Sequence, residues 1–300
     1  MAFEKAVPVL WYAVLIDKVK DVGILMKFKL SLTVVFSAIM AYLIALKTPV
    51  DINNIIILFT GGLLTSGAAS ALNQAIEKDY DKLMSRTANR PVAAGRMSMS
   101  DAVLIAGIMS LIGISLLSLF NPLTGFLGMI SLISYAFVYT PLKRVSNIAV
   151  LWGGIPGALP VIIGCTAAQN GTLSMLAIIL FAIQFFWQFP HFWAIAWLAN
   201  EDYKKAGFNL LPNKEGICDA GVGKQSMIFS LMLIPFSILP FWIGAAGKIS
   251  MIALVILAIV YAYFGWNLHK ECSRKAALKL MFMALIYLPT VLIILYFDKI

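Results

Sequence analysis

Three side chains that can supply oxygen ligands are spaced four residues apart in one stretch of the chain. Asn73, Glu77 and Asp81 follow directly from a long apolar run. If the segment is helical, they share one face, because residues four apart are neighbours on a helix, whereas Asp79 projects to the opposite side. Two carboxylates and an amide suit Mg²⁺, which binds few protein oxygens and shares the phosphates of a substrate. The spacing therefore predicts a magnesium site formed by Asn73, Glu77 and Asp81.

Basic and amide side chains accompany these oxygen ligands. Guanidinium groups match the geometry of phosphate oxygens, and lysines add positive charge. The predicted diphosphate-binding residues are Lys78, Arg86, Asn89, Arg90, Lys143 and Arg144. Acids for a metal beside bases for an anion indicate a diphosphate bound through magnesium. The alternative is a solvated loop in which acids and bases only pair with one another, and for Lys143 and Arg144 it is anchoring of a short loop at a membrane surface.

A second group of polar side chains interrupts an otherwise aromatic and apolar run. Gln184, Gln188 and His191 fall on one stripe of a helix, and Asp202 lies three turns beyond His191, next to Tyr203. Amides and an imidazole are costly to expose to lipid, so we expect them to face the interior of the protein. For His191 three interpretations stay open: an interhelical hydrogen bond, contact with a substrate, or ligation of iron.

The elements that position these residues are predicted to be membrane helices. Of the 300 residues, 61% are hydrophobic and 12% are charged, which excludes a soluble globule and with it nucleic-acid binding. A membrane crossing takes about 20 apolar residues, and its backbone must satisfy its own hydrogen bonds in hydrocarbon. The fold class is therefore an all-α integral membrane protein. Nine apolar runs qualify as spans: 30–46, 52–72, 102–120, 123–139, 148–168, 173–198, 228–245, 249–268 and 278–296.

The distribution of charge orients the predicted bundle. Twenty of the 23 Lys and Arg residues fall on the side that includes the N-terminus, and cytoplasmic loops carry an excess of these residues. We therefore expect a cytoplasmic N-terminus and an external C-terminus. No Arg-rich, acid-poor transit peptide is visible, which favours a bacterial cytoplasmic membrane over an organelle. Residues 1–29 are expected to form a cytoplasmic interfacial segment. Residues 30–300 are expected to form one nine-helix domain around a central cavity, with functional cytoplasmic loops at 73–101, 140–147 and 199–225.

Two stretches resemble a known group of membrane enzymes. The stretch 73–91, with the Asn, Glu, Asp and two Arg residues described above, resembles the first motif of the UbiA superfamily of intramembrane prenyltransferases. That motif usually carries Asp where Gln74 and Glu77 stand here, and Glu77 keeps the charge. The stretches 187–193 and 200–212 are similar to the second inner region of the haem-farnesylating branch of that superfamily. The second acidic DxxxD motif of other branches has no counterpart at this point.

The resemblance implies a reaction and a set of roles. It implies farnesyl diphosphate as the donor, the 2-vinyl group of haem B as the acceptor, Mg²⁺ as the cofactor and haem O as the product. The implied partners are the lipid bilayer and a haem A synthase or terminal oxidase assembly. The residues expected to act in catalysis are Asn73, Glu77, Asp81, Arg86, Arg90 and His191. Those expected to line the haem side of the cavity are Gln184, Gln188, His191, Asp202 and Tyr203.

Two other functions stay open at this point. One is transfer of a prenyl chain to an aromatic quinone precursor, which needs the same donor site. The other is an ion-coupled transporter in which Asn73, Glu77, Asp81 and His191 form an ion path. Transporter sites are expected near the middle of the bilayer, whereas the acids here cluster at the ends of predicted spans, which favours diphosphate chemistry.

Overall fold

The computed structural model describes residues 11–213 and 216–300. Residues 1–10 of the expected interfacial segment and residues 214–215 of the expected loop 199–225 lie outside the described residues. The described chain is helical, and its only β pairing is an isolated bridge between Ala246 and Lys299. The helices are α1 Trp11–Leu25, α2 Phe28–Ala45, α3 Ile52–Ile76, α4 Lys78–Asp81, α5 Met99–Ser118, α6 Pro122–Ile133, α7 Thr140–Leu142, α8 Ile148–Ala168, α9 Met175–Leu198, α10 Asn200–Lys205, α11 Ala220–Leu231, α12 Leu233–Trp242, α13 Lys248–Glu271 and α14 Arg274–Phe297.

Nine helical segments in the described chain are long and apolar enough to cross a membrane, which confirms the prediction of nine spans. Two of them consist of more than one helix: a π-helical turn, Ser134–Tyr139, joins α6 to α7, and α11 continues into α12. Polar side chains cap most of the spans. Asp51, Ser98, Asn121, Ser174, Asp219 and Ser273 each accept a hydrogen bond from a backbone N–H in the first turn of the following helix.

The two ends of the bundle differ. We call the end that carries residues 73–98 and 199–219 the loop end. The opposite end is closed by the C-terminus: Lys299 Nζ donates to the carbonyl of Leu43 at 2.6 Å, and Asp298 Oδ2 accepts from the backbone N–H of Ser250 at 2.7 Å. The polar residues singled out in the sequence lie at the loop end and along α9.

The seventh span begins earlier than the apolar run suggests. The prediction placed it at 228–245, but the segment runs from Ala220 to Trp242, and α10 takes up part of the expected loop 199–225. Residues 220–227 are small and polar rather than apolar, so hydropathy did not reveal them. They are helical because α11 packs closely on α13: a Cβ at Gly223 would strike the backbone nitrogen of His269.

Close backbone approach also joins other neighbouring spans. A Cβ at Gly164 in α8 would strike the backbone carbonyl of Ala38 in α2. A Cβ at Gly113 in α5 would lie 2.8 Å from the backbone nitrogen of Thr65 in α3. Small residues at such crossings allow van der Waals contact between helices that have no hydrophobic driving force in lipid.

This packing predicts opposite outcomes for two glycine substitutions in spans. Gly164→Ala should lower the free energy of unfolding by about 1–3 kcal/mol, because the added methyl meets backbone that cannot move aside. Gly107→Ala in α5 is the matched control: nothing lies within 4 Å of its Cβ position, so it should be neutral or slightly stabilising. Equilibrium unfolding by SDS titration measures both, and equal effects would contradict the packing argument.

Candidate active site

The oxygen ligands predicted from the sequence lie where α3 meets α4. α3 ends at Ile76, and Glu77 departs from helical geometry with φ −95° and ψ 11°. The hydrogen bonds of a helix nevertheless continue, from Glu77 N–H to the Asn73 carbonyl at 2.9 Å and from Asp81 N–H to the Glu77 carbonyl at 2.8 Å. The three side chains therefore keep the common side that their spacing predicts, whereas Asp79 is exposed and pairs with Lys82 at 2.9 Å.

These three side chains are buried at the loop end of the bundle. Asn73, Glu77 and Asp81 expose 1%, 2% and 0% of their surface. Asn73 Nδ2 donates to Glu77 Oε2 at 2.8 Å and to Thr140 Oγ1 at 3.1 Å, which leaves Asn73 Oδ1 as an acceptor. Thr140 belongs to α7, so the π-helical end of the fourth span supports the orientation of the amide.

Each of the three oxygen ligands contacts a basic side chain from a different part of the chain. Lys27 Nζ donates to Asn73 Oδ1 at 2.9 Å, and Lys143 Nζ lies 2.7 Å from Glu77 Oε1. Arg90 Nη1 lies 2.8 Å from both carboxylate oxygens of Asp81. We call Lys27, Asn73, Glu77, Asp81, Arg90 and Lys143 the acid–base cluster. The cluster is not part of a solvated loop, because both of its carboxylates are almost completely buried.

The acid–base cluster carries one basic group more than its acids can balance. Burial of the Lys27 ammonium, together with the charges of Arg90 and Lys143, holds the pKa of Lys27 well below its usual range, although Glu77 and Asp81 act in the opposite direction. Three basic side chains thus share two carboxylates. An entering anion would relieve this excess, so the electrostatics favour a negatively charged ligand.

The oxygen ligands fit a hard divalent cation that is shared with a substrate. No three His, Cys, Asp or Glu side chains converge on a metal position within residues 11–213 and 216–300. Two buried carboxylates and the Asn73 amide oxygen are an incomplete set for a closed metal site. They suffice for Mg²⁺ when phosphate oxygens and water complete its coordination.

A second polar group joins the two long loops. Ser85 Oγ donates to Asp202 Oδ2 at 2.7 Å, and the Arg86 backbone N–H donates to the same oxygen at 3.3 Å. Arg86 Nη2 also donates to Tyr203 Oη at 3.4 Å. The hydrogen bond from Ser85 lowers the pKa of Asp202, so this carboxyl stays ionised at mildly acidic pH.

Of the other predicted diphosphate-binding residues, Arg144 lines a cavity at the site, whereas Lys78 and Asn89 do not. Arg144 Nη2 donates to the carbonyl of Ile76 at 3.1 Å, and its guanidinium lies 4.2 Å from the centre of the Tyr80 ring. Lys78 is partly exposed, and Asn89 is exposed with its carbonyl accepting from Arg96 at 3.0 Å. A cavity of about 240 Å³ opens here, lined by residues 143–147, Gly207 and Asn209. Because Lys143 lines the cavity and contacts Glu77, the cavity leads to the acid–base cluster.

The glutamines of α9 face its neighbour α8. Gln184 Nε2 donates to the carbonyl of Gly157 at 2.8 Å, and Gln188 Nε2 donates to that of Gly154 at 2.7 Å. A Cβ at Gly157 would strike Gln188 Oε1, so a larger residue there would require the Gln188 amide to move. The two amides therefore link α8 to α9 from within the bundle.

His191 has different surroundings. Its ring stacks on that of Trp187, with ring centres 5.4 Å apart and planes inclined by 12°. Trp187 Nε1 donates to the carbonyl of Ala284 in α14 at 2.8 Å, and Tyr261 Oη of α13 donates to the Trp187 carbonyl at 3.1 Å. Nδ1 of His191 is buried and has no hydrogen-bond partner among the residues that the structure describes. A buried polar atom in that state costs free energy unless a ligand meets it.

Comparisons with known proteins agree with this architecture. Residues 34–286 match the model of the UbiA prenyltransferase family. The chain belongs to the UbiA prenyltransferase family. It is 43% identical over 277 residues to a protoheme IX farnesyltransferase of Cytophaga hutchinsonii, an alignment that covers 92% of this chain and 96% of that protein.

Solved structures show that the fold is shared within the UbiA family. A digeranylgeranylglyceryl phosphate synthase has a TM-score of 0.78 at 20% identity, with 94% of this chain and 98% of that chain covered. A UbiA homologue from Archaeoglobus fulgidus bound to GPP and Mg²⁺ has a TM-score of 0.65 at 13% identity, with 92% and 99% covered.

For this UbiA family chain, the structure divides the predicted site residues into three places. Asn73, Glu77, Asp81, Arg90 and Lys143 meet in the acid–base cluster. Arg86, Asp202 and Tyr203 meet where the two long loops contact each other. Asp202 and Tyr203, predicted for the haem side of the cavity, therefore lie beside Arg86, which was predicted to bind the diphosphate. Gln184, Gln188 and His191 lie along α9, and the two glutamines do not share the contacts of His191.

Sequence reasoning missed four residues around the cluster. Lys27 counted only as one of many basic residues near the N-terminus, yet its Nζ reaches Asn73 and also donates to Tyr135 Oη at 3.4 Å. Thr140 supports Asn73, and the Tyr139 ring lies 4.8 Å from Lys143 Nζ. The stretch 139–141 was visible as a Tyr-Thr-Pro string, but no local pattern signals a contact between Lys27 and a residue 46 positions away.

The contrast between Arg90 and Arg86 yields a prediction about stability. Arg90→Gln should lower the free energy of unfolding by about 3–5 kcal/mol, because it leaves the fully buried Asp81 carboxylate without its counter-ion. Arg86→Gln is the matched control: Arg86 is exposed, so the loss should stay below about 1 kcal/mol.

SDS titration of the purified proteins measures both losses. The double variant Asp81→Asn/Arg90→Gln should lose less unfolding free energy than the sum of the losses in the two single variants, because it removes both charges together. Strict additivity, or equal losses at positions 86 and 90, would show that the pair between Arg90 and Asp81 is not the stabilising interaction.

Proposed function

We propose that this chain transfers the farnesyl group of farnesyl diphosphate to the 2-vinyl group of haem B, forming haem O and diphosphate. The similarity to a protoheme IX farnesyltransferase over almost the whole of both proteins carries the proposal. The buried acid–base cluster supports it, because two carboxylates, an amide oxygen and an excess of basic groups suit a prenyl diphosphate bound with a divalent cation.

The donor would bind at the loop end. We assign Asn73, Glu77 and Asp81 to hold Mg²⁺, and Arg86, Arg90, Lys143 and Arg144 to the diphosphate oxygens. The A. fulgidus homologue is bound to GPP and Mg²⁺, which supports a prenyl diphosphate and a divalent cation as ligands, without reference to particular residues. When bound, Mg²⁺ supplies positive charge that stabilises the leaving diphosphate. Arg90 and Lys143 stabilise the same charge as the bond between the allylic carbon and the diphosphate oxygen breaks.

The acceptor would bind within the bundle on the side of α9. The buried Nδ1 of His191 is a polar atom that a haem substrate could meet, and Trp187 offers an aromatic surface beside it. There the electron-rich vinyl group attacks the allylic cation. Water then adds to the resulting cation and releases a proton to give the hydroxyethylfarnesyl side chain. The apolar helices limit earlier capture of the allylic cation by water.

The direction of the site also belongs to this proposal. The excess of Lys and Arg around the loop end supports a position of that end on the cytoplasmic side of the cell membrane. Farnesyl diphosphate would then enter from the cytoplasm with its apolar chain directed between the spans.

The donor assignment predicts which carboxylates are needed. Purified protein incubated with haem B, farnesyl diphosphate and Mg²⁺ should form haem O, detected by mass spectrometry of the porphyrin. Glu77→Gln and Asp81→Asn should lower kcat/KM about 100-fold or more, because each removes an oxygen charge from the metal–diphosphate site. Asp79→Asn is the matched control, with an exposed carboxylate two residues from each, and should stay within about twofold.

Excess EDTA should abolish haem O formation and added Mg²⁺ should restore it. Full activity in EDTA would exclude the metal, and equal losses at positions 79 and 81 would place the site elsewhere on the segment. Prenylation of an aromatic quinone precursor in place of haem B would overturn the choice of acceptor while leaving the donor assignment intact.

The acceptor assignment predicts separate effects of His191 on the two substrates. His191→Phe keeps an aromatic ring to stack on Trp187 and removes the buried ring nitrogen. It should lower haem O formation about tenfold or more, the cost of one lost polar contact, while binding of farnesyl diphosphate with Mg²⁺ is unchanged. Loss of donor binding with unchanged haem affinity would contradict the assignment, and a changed haem absorption spectrum would identify His191 as an iron ligand.

A further inference from the structure

Lys27 stands at an unusual point of the backbone. It lies between α1 and α2 with φ 47° and ψ 53°, in the left-handed region that residues with a Cβ rarely adopt. Such a conformation persists only where surrounding contacts hold it. Neither helix needs a lysine in this position, so the cause must be sought in what the side chain reaches.

Contacts from the first polar loop hold α1 and, through it, Lys27. Gln74 Nε2 donates to the carbonyls of Ile24 and Leu25, the last residues of α1, at 2.9 and 2.8 Å. Arg96 Nη2 lies 2.8 Å from Asp21 Oδ1 one turn earlier. Gln74 directly follows Asn73, so the segment that carries the oxygen ligands also fixes the helix that delivers Lys27.

The Lys27 ammonium is hydrogen-bonded to Asn73 Oδ1, the oxygen atom that a metal would need as a ligand. Its Nζ donates to Asn73 Oδ1 at 2.9 Å, while the Asn73 amide nitrogen is used by Glu77 and Thr140. The amide is therefore oriented, and its oxygen has one cationic partner. A divalent cation at Asn73 must displace Lys27, and two positive charges at this distance repel each other.

We propose that Lys27 is an exchangeable cation of the donor site: it holds Asn73 Oδ1 when no metal is bound and transfers to the diphosphate when metal and prenyl diphosphate enter together. This inference rests on the proposed function. The transfer gives the displaced ammonium an anionic partner and frees the Asn73 oxygen, so metal alone binds against Lys27 whereas the diphosphate binds with its help. Lys27 is thereby a positioning residue for the ligand-free site and a ligand of the diphosphate in the loaded one.

The test compares two ligands that should respond in opposite directions. In the purified full-length protein in nanodiscs, Lys27→Met should raise the affinity for Mn²⁺ alone about threefold or more, because a competing charge is gone. The same variant should weaken binding of farnesyl thiolodiphosphate in saturating Mg²⁺ about tenfold or more, because a charge-assisted hydrogen bond is lost. Electron paramagnetic resonance of free Mn²⁺ gives the first affinity, and calorimetry gives the second.

Lys29→Met is the matched control: it makes the same change two residues away at an exposed position, and both affinities should stay within about twofold of the wild type. Lys27→Arg keeps a cation and should retain most of the affinity for the thiolodiphosphate. If Lys27→Met matches Lys29→Met, or if both affinities of Lys27→Met change in the same direction, the exchange is excluded.

The proposed function can fail separately from this inference. A wild-type protein that binds neither Mn²⁺ nor the thiolodiphosphate would overturn the donor site itself, and the inference with it. A wild-type protein that binds both, beside a Lys27→Met variant without opposite shifts, would overturn the role of Lys27 alone. If Lys27→Met unfolds, Lys27→Arg decides: loss of thiolodiphosphate binding in that folded variant contradicts the exchange.

Discussion

Glu77 and Asp81 carry negative charge in the interior of a membrane bundle, and this charge needs compensation by basic side chains. The compensating groups come from three separate segments: Lys27 precedes the second helix, Arg90 belongs to the first long loop, and Lys143 follows the fourth span. Pairing the carboxylates therefore brings together parts of the chain that hydropathy alone would leave independent. The loop end is ordered around these pairs, including the position of α1 through Gln74.

The spans meet a second requirement, which is to satisfy backbone groups where prolines and glycines occur. Pro160 has no N–H for the carbonyl of Pro156, and Ser131 Oγ of the neighbouring α6 donates to that carbonyl at 3.3 Å. Gln184 and Gln188 donate to further carbonyls of α8. Polar side chains in these helices thus serve helix association at Gln184 and Gln188. At His191 they leave the Nδ1 atom without a hydrogen-bond partner among the described residues.

How far the sequence predicts the structure depends on how far apart the interacting residues lie along the chain. The nine spans were predictable because bilayer thickness sets the length of apolar runs. The largest difference at a start is in span 7, predicted from residue 228 and observed from Ala220. The common side of Asn73, Glu77 and Asp81 was predictable because it follows from hydrogen bonds four residues apart. The contact of Lys27 with Asn73 and that of Asp202 with Ser85 were not, because tertiary packing alone determines them.

Under the proposed function, ion pairing within the cluster and binding of a metal diphosphate are compatible, because they would be successive states of the same side chains. A buried carboxylate without a cationic partner would be strongly destabilising in the interior of the bundle. The ion pairs with Arg90 and Lys143 give Asp81 and Glu77 cationic partners before the ligand arrives. A prenyl diphosphate then supplies anionic oxygens for the basic groups, and its metal supplies a cation for the carboxylates. The basic groups and the carboxylates would thus exchange partners, and neither set of charges would be left uncompensated in the interior. A site of this kind can accept substrate without exposing its carboxylates to water.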